Sequence, residues 1–265
     1  MNIGFIGCGN MGSAMIRGIL KTGKVMPENI MASDKSSVLL YSRKEELRIR
    51  ISSDNEETAE FADILFLAVK PQFYEEAIKS MMDAVTPEKL IVSIAPGKTL
   101  SWIKETSKGK LDRVIRMMPN TPAMVGEGMI GLCKSDRVSD DEMETVRGLC
   151  SGFARTEIVD EHLMDVVTAV SGSSPAYVFM FIEAMADAAV AGGMPRDKAY
   201  VFAAQAVLGS AKMVLETGKH PGELKDMVCS PGGTTIEAVR VLEKCGFRSA
   251  VIECMEKCNE RSRNI

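Results

Sequence analysis

From the first residue to about residue 160, short apolar runs alternate with stretches whose apolar residues recur every three or four positions. The first kind predicts strands at 3–6, 30–32, 48–51, 64–69, 90–94 and 114–117. The second predicts helices at 11–21, 36–47, 56–61, 73–82 and 100–107. Ile64-Leu65-Phe66-Leu67-Ala68-Val69 is apolar throughout, as a strand of a parallel sheet must be when helices cover both its faces. This order predicts a doubly wound sheet with right-handed crossovers. Segments 128–133 and 156–159 add edge strands around a helix at 140–150.

Beyond residue 161 the strand pattern stops, and 163–170, 175–192, 196–216, 221–228, 234–245 and 247–262 all read as helices. The expected organisation is therefore α/β: a Rossmann-type domain over 1–160, then an all-α domain over 161–265. Ser173-Ser174-Pro175 supplies an N-cap and a first-turn proline, while Gly192-Gly193 followed by Pro195 stops the helix between them. That helix is apolar nearly all round, interrupted mainly by Glu183 and Asp187, so most of its sides must be buried. A helical half of about 100 residues has limited core of its own. Burial against another subunit is the expectation. Ala199, Ala203, Ala206, Gly209 and Ser210 on the next helix permit close packing.

Composition narrows the function. The net charge is −4 with both signs interspersed, and aromatics are 5%, which points away from nucleic-acid binding. The 7 cysteines include no CxxC pair, and the 2 histidines lie far from them in sequence, so no metal set is expected. The chain opens directly on Asn2-Ile3-Gly4-Phe5-Ile6, and its longest apolar run, 176–182, is too short to span a bilayer. Cytoplasm, with no membrane partner, is the expected location.

Gly7-Cys8-Gly9-Asn10-Met11-Gly12 follows a strand and opens a helix. In that context Gly7 allows a tight turn, Gly9 close backbone approach and Gly12 helix–strand packing, with a diphosphate on the helix N-terminus. Asp34 stands 22 residues after Gly12, where an acid contacts a ribose. Its neighbours Ser33, Lys35 and Ser36 can instead donate to a 2′-phosphate, so NADH and NADPH both stay open. Asp34 also reads as a helix cap. Ala68-Val69-Lys70-Pro71 and Arg116-Met117-Met118-Pro119-Asn120-Thr121-Pro122 end strands at the carboxyl edge, where open α/β sheets bind ligands.

Ser230-Pro231-Gly232-Gly233-Thr234-Thr235 precedes a helix. It reads either as an anion cradle of backbone N–H groups suited to a substrate carboxylate or as a flexible turn with an N-cap. Neither His162 nor His220 stands in a general-base pattern. Oxidising an alcohol needs such a base; reducing a protonated C=N bond needs mainly hydride delivery and positioning. The scarcity of bases tilts the reading towards imine reduction.

These motifs, with Ser171-Gly172-Ser173-Ser174-Pro175-Ala176-Tyr177, resemble those of the bacterial pyrroline-5-carboxylate reductases across essentially the whole chain. The glycine motif is shared by many dehydrogenases; the 171–177 and 230–236 motifs are specific to this family. The resemblance implies hydride transfer from NAD(P)H, in most members NADPH, to C5 of a cyclic imino acid, Δ1-pyrroline-5-carboxylate, giving L-proline. It implies that Ser230, Gly232, Gly233, Thr234 and Thr235 hold the substrate carboxylate and that Thr235 hydrogen-bonds the ring nitrogen as the catalytic group. It places Asn55 near the adenosine ribose, with Lys70, Pro71 and Asn120 along the cofactor. It implies homodimers interlocked through the helical domain, often assembled into decamers. Asp34 stands where many members carry a neutral residue, which leaves the cofactor preference open. A β-hydroxyacid dehydrogenase would carry a catalytic lysine early in the helical domain, and 175–193 has none. A non-catalytic nucleotide sensor would need no carboxylate cradle.

Overall fold

The computed structural model describes residues 1–263. Eight strands form one sheet: β1 Ile3–Ile6, β2 Ile30–Ser33, β3 Arg50–Ser52, β4 Ile64–Leu67, β5 Leu90–Ser93, β6 Val114–Met118, β7 Gly128–Lys134 and β8 Ala154–Ile158. Their order is β3-β2-β1-β4-β5-β6-β7-β8. The first six are parallel, in the order that places a crevice between β1 and β4. β7 runs antiparallel to β6, and β8 parallel to β7.

Helices α1 Asn10–Lys21, α2 Ser37–Leu47, α3 Asn55–Phe61, α4 Tyr74–Lys79, α5 Leu100–Thr106 and α6 Asp140–Cys150 connect these strands. The uninterrupted apolar run of β4 is explained by two cores. Ile64 and Phe66 enter the cluster that holds Phe5, Met15 and Ile16; Leu65 and Leu67 enter the one that holds Tyr74, Ile78 and Ile103. Phe5 and Phe66 stack across neighbouring strands, with ring centroids 4.6 Å apart.

Several elements begin or end differently from the periodic expectation: β4 stops at Leu67, α4 spans only Tyr74–Lys79, and β8 starts at Ala154. β3 starts at Arg50 and not at residue 48, because Arg48 takes the left-handed conformation (φ 57°) that terminates α2. The segment expected as separate helices at 163–170 and 175–192 is a continuous helical run, Glu161–Ala191. It comprises a 3₁₀ turn, α7 Met164–Val167, a π turn Thr168–Gly172 and α8 Ser174–Ala191. Ser173 N–H donates to the Thr168 carbonyl at 2.8 Å, which ends the π turn at the residue before α8 begins. By length and composition this run could cross a membrane, and only 17% of its most apolar window is buried within the chain.

The chain divides into two compact units, Met1–Ser173 together with residues 258–263, and Ser174–Lys257. The change falls later than residue 161 because the start of the helical run packs on the sheet. Met164 joins Met118 and Cys133 in a third core cluster, and Val167 fills the space a Cβ on Gly131 would take. The second unit contains α8, α9 Arg196–Thr217, α10 Pro221–Val228, α11 Thr234–Lys244 and most of α12 Phe247–Ser262. The end of α12 belongs to the first unit, where Ser262 donates to Asp165 at 2.7 Å.

Candidate functional site

The first unit has a cavity of about 310 Å³ at the carboxyl edge between β1, β2 and β4. Ile6, Gly7, Gly9, Ser33, Asp34, Lys35, Asn55, Ala68, Val69 and Lys70 line it, closed on one side by Phe73, Glu76, Ala77 and Ser80. Strands bring the ends of three segments to one place, and the glycines then make room. Gly7 has φ +98°, and a Cβ there would lie 2.6 Å from the Ala68 carbonyl oxygen. A Cβ on Gly12 would lie 2.5 Å from the Gly7 carbonyl oxygen, whereas one on Gly9 would meet nothing within 4 Å. The turn, the open approach and the close packing fall on the three positions that the dinucleotide motif assigns to them.

α1 carries no side-chain cap on Gly9. In the loop before it, Gly7 N–H donates to the Ser33 carbonyl at 2.7 Å and Cys8 N–H to Asp34 Oδ2 at 3.0 Å. Asp34 Oδ1 accepts from Ser36 N–H, also at 3.0 Å, and Ser36 itself caps α2. The Asp34 carboxylate is thus held by two amides. It ties the end of β2 to the glycine loop in addition to lining the cavity. Burial, and then the neighbouring Asp34 charge, push the Cys8 thiol up to about 12, so it is a neutral wall of the loop.

Polar side chains form a directed chain along the cavity. Ser33 Oγ donates to Asn55 Oδ1 at 2.6 Å, Asn55 Nδ2 donates to Ser80 Oγ at 2.8 Å, and Ser80 Oγ donates to the Ala77 carbonyl at 2.9 Å. Asn55 opens α3 beside these groups, with Asp54 as the cap. Lys70 precedes Pro71 in an extended conformation, and Pro71 opens a short 3₁₀ turn into α4.

Cys8, Asn10, Met11, Gly12, Pro71 and Asn120 lie outside the cavity lining. Asn120 is 8% exposed, and both ends of its amide are engaged. Its Nδ2 donates to the Ser171 carbonyl at 3.0 Å, and its Oδ1 accepts from Met129 N–H at 2.9 Å. Ser171 is the residue four before Pro175, which has no N–H to offer its carbonyl. The side chain of Asn120 fills that vacancy.

Two buried residues were not singled out from the sequence as supports of this edge. Tyr74 is fully buried; its hydroxyl donates to the Leu67 carbonyl at 2.7 Å and accepts from Ile94 N–H at 3.0 Å, joining β4 to the segment after β5. Arg116 of β6 pairs with Glu161 at 2.7 Å, and the same carboxylate oxygen accepts from Leu100 N–H at 2.7 Å. A tyrosine three residues after the proline of a Val-Lys-Pro strand end, and an arginine inside an apolar strand, are the signals that could have drawn notice.

In the second unit, the Ser230 carbonyl accepts from Gly233 N–H at 3.0 Å, with Pro231 and Gly232 between them and Gly232 at φ +67°. That is the hydrogen-bonded turn expected of Pro-Gly at its two central positions. A Cβ on Gly233 would collide with Ser230 Oγ, so a side chain there would have to turn the Ser230 hydroxyl away. α11 then begins with no side-chain cap on Gly233, its first amides flanked by the hydroxyls of Thr234 and Thr235. Thr235 is half-buried, whereas Ser230, Gly232 and Thr234 are exposed.

Residues 161–265 match the model of pyrroline-5-carboxylate reductase dimerisation, and residues 2–97 match that of NADP oxidoreductase, coenzyme F420-dependent. The chain is 51% identical to the pyrroline-5-carboxylate reductase of Escherichia coli (strain K12), with 99% of this chain and 97% of that one covered. It is 45% identical to the Methanosarcina acetivorans enzyme of the same name, over 99% and 97% of the two chains. Among solved structures, the Plasmodium falciparum pyrroline carboxylate reductase with NADP bound matches with a TM-score of 0.90 at 32% identity, covering 100% of this chain and 97% of that one. This chain belongs to the pyrroline-5-carboxylate reductase family. With that family it is an NAD(P)H-dependent oxidoreductase of proline biosynthesis, acting on the C=N bond of Δ1-pyrroline-5-carboxylate. Its helical region is a dimerisation domain, which accounts for the apolar surface of the run Glu161–Ala191.

Proposed function

We propose that the cavity of the first unit takes the dinucleotide and that the Ser230–Thr235 turn takes the substrate carboxylate. The single observation that carries the second assignment is the local build of that turn. Gly232 has positive φ, Gly233 leaves the Ser230 hydroxyl in place where a Cβ would displace it, and α11 starts uncapped. Such a turn presents amides to an anion that no side chain of the N-cap competes for. The amides of Gly232 and Thr234 orient the carboxylate, with the Ser230 hydroxyl beside them, while Gly233 closes the turn through its own N–H to the Ser230 carbonyl. The Thr235 hydroxyl holds the ring nitrogen, the atom whose charge changes most in the reaction.

Gly7, Gly9 and Gly12, with Asn10 and Met11 at the start of α1, hold the diphosphate; Ser33, Asp34 and Asn55 face the adenosine ribose. Ala68, Val69, Lys70 and Pro71 form the wall after β4. Asn120 supports this edge from behind through Ser171 and Met129. Cys8 contributes shape, its amide being bound to Asp34. When bound, the reduced dinucleotide supplies a hydride to C5 of the imine. The protein's task is to fix the substrate and to hold the ring nitrogen. The helical domain pairs two copies, with further assembly up to a decamer, and the enzyme works in the cytoplasm.

Thr235→Ala is expected to lower kcat with pyrroline-5-carboxylate by about tenfold to a hundredfold, the range for one hydrogen bond to a charged group. The dissociation constant for NADP⁺ should stay within about twofold, and Thr235→Ser should recover most of the rate. A folded Thr235→Ala protein with unchanged kcat would remove this role.

A further inference from the structure

The rim of the dinucleotide cavity carries an ion pair that hydride transfer does not require. Lys35 Nζ donates to both carboxylate oxygens of Glu76, at 2.8 and 2.6 Å, and lies 5.2 Å from the centre of the Phe73 ring. Lys35 follows β2, while Phe73 and Glu76 follow β4, so two separate segments meet at one mouth. All three residues line the cavity. The charged side chains are 72% and 62% exposed, too wet for the pair to matter much to folding.

Asp34 next to it behaves differently, being held by the amides of Cys8 and Ser36. The end of β2 therefore carries one fixed anion and one tethered cation. A ribose 2′-hydroxyl suits the anion, whereas a 2′-phosphate needs the cation. Lys70, the other lysine in the cavity wall, follows β4 and not β2.

We propose that Glu76 sets the cofactor preference of this chain by competing with a 2′-phosphate for Lys35. Binding the phosphorylated dinucleotide exchanges one anion for another on Lys35, and it leaves the freed Glu76 carboxylate at the same rim as the phosphate. Both effects oppose binding. The dinucleotide without the 2′-phosphate makes no such exchange, so the tether narrows the gap between the two cofactors and the chain uses both. The proposal rests on the reading of this cavity as the dinucleotide site.

The test is calorimetric titration of the full-length protein with NADP⁺ and with NAD⁺, read as the ratio of the two dissociation constants. Glu76→Gln should shift that ratio towards NADP⁺ by about fivefold, the scale of an exposed ion pair released together with a removed repulsion. Lys35→Met should shift it the other way by roughly tenfold. The double variant should lie close to Lys35→Met, keeping only the smaller gain from the removed carboxylate–phosphate repulsion, because without Lys35 the carboxylate has nothing to withhold. The same ordering should appear in kcat/KM for the two reduced cofactors. A Glu76→Gln ratio equal to wild type would overturn the proposal, as would an equal Glu76→Gln gain in the Lys35→Met background. Failure of the wild type to bind either dinucleotide would overturn the cavity assignment itself, a separate outcome.

Discussion

The two compact units of this chain bury their apolar residues in opposite ways. In the first, Phe5, Phe66, Tyr74 and Phe153 are fully enclosed between sheet and helices. In the second, the buried hydrophobic residues among those described are alanines, Ala186, Ala199 and Ala203, where α8 and α9 lie against each other. The large residues face outward: Phe179 is 62% exposed, Met180 69%, and Phe202 65%. A surface of that kind is a binding face waiting for its partner. The first unit encloses its large apolar residues within one chain, whereas the helical unit, a dimerisation domain, leaves its own facing outward.

The most severe way to test that contrast is to charge the outward face. The pair Phe179→Glu and Phe202→Glu should raise the dimer dissociation constant by at least roughly a thousandfold, since four large apolar side chains are lost from each dimer. Light scattering should show monomers, and turnover should fall with the helical unit that carries the Ser230–Thr235 turn. NADP⁺ should still bind within about fivefold of wild type, because the cavity belongs to the self-contained unit. A charged variant that stayed dimeric would refute the contrast, and so would one that lost nucleotide binding along with its partner.

A smaller effect probes the first unit alone. Glu161→Ala leaves the Arg116 guanidinium, 4% exposed, without its carboxylate partner and Leu100 N–H without its acceptor. The expected cost is about 3 kcal/mol, or roughly 6–12 °C in the melting temperature of a chain this long. Calorimetry should register it with the dimer intact. A change under about 1 °C would mean that the buried pair is not a support of the sheet edge.

The smallest expected effect is one of pH. Burial pushes the thiols of Cys8 and Cys150 up to about 12 and that of Cys133 up to about 11. Their values in the fold lie above those of the unfolded chain, so the folded state keeps protons that the unfolded state releases. Their contribution is full below the unfolded thiol value, about 8.5. It fades as pH rises through the folded values. Denaturant titrations should find no thiol-linked loss below that point and a progressive one above it. Substituting the three cysteines by alanine should flatten that alkaline slope; an unchanged slope would assign it to other groups.

Much of the nucleotide unit is legible because its signals are local. An apolar run of six residues predicts β4 buried on both faces, and GxGxxG after a strand predicts where glycine is obligatory. The Pro-Gly-Gly turn is legible for the same reason. What was not legible depends on partners far along the chain. Asp34 reads as a ribose contact or a helix cap, yet its carboxylate is shared between Cys8 and Ser36. Asn120 resembles a cofactor-lining residue, yet it spends its amide on Ser171 and Met129. Ser173-Ser174-Pro175 has the form of a helix start, and α8 begins there at Ser174, directly behind a π turn that no local signal announces. The carbonyl that Pro175 cannot satisfy finds its donor on Asn120, 51 residues earlier than Ser171.

By itself the sequence determined the α/β order, the glycine turns and the family. Each of these is written in spacing along one short stretch of backbone, where φ/ψ preference and apolar period act over a few residues. Only the tertiary structure decided which polar groups are free for a ligand and where one unit gives way to the next. A side chain's spare hydrogen-bonding capacity is no property of its residue type. It is what remains after the fold has brought distant donors and acceptors within 3 Å of one another.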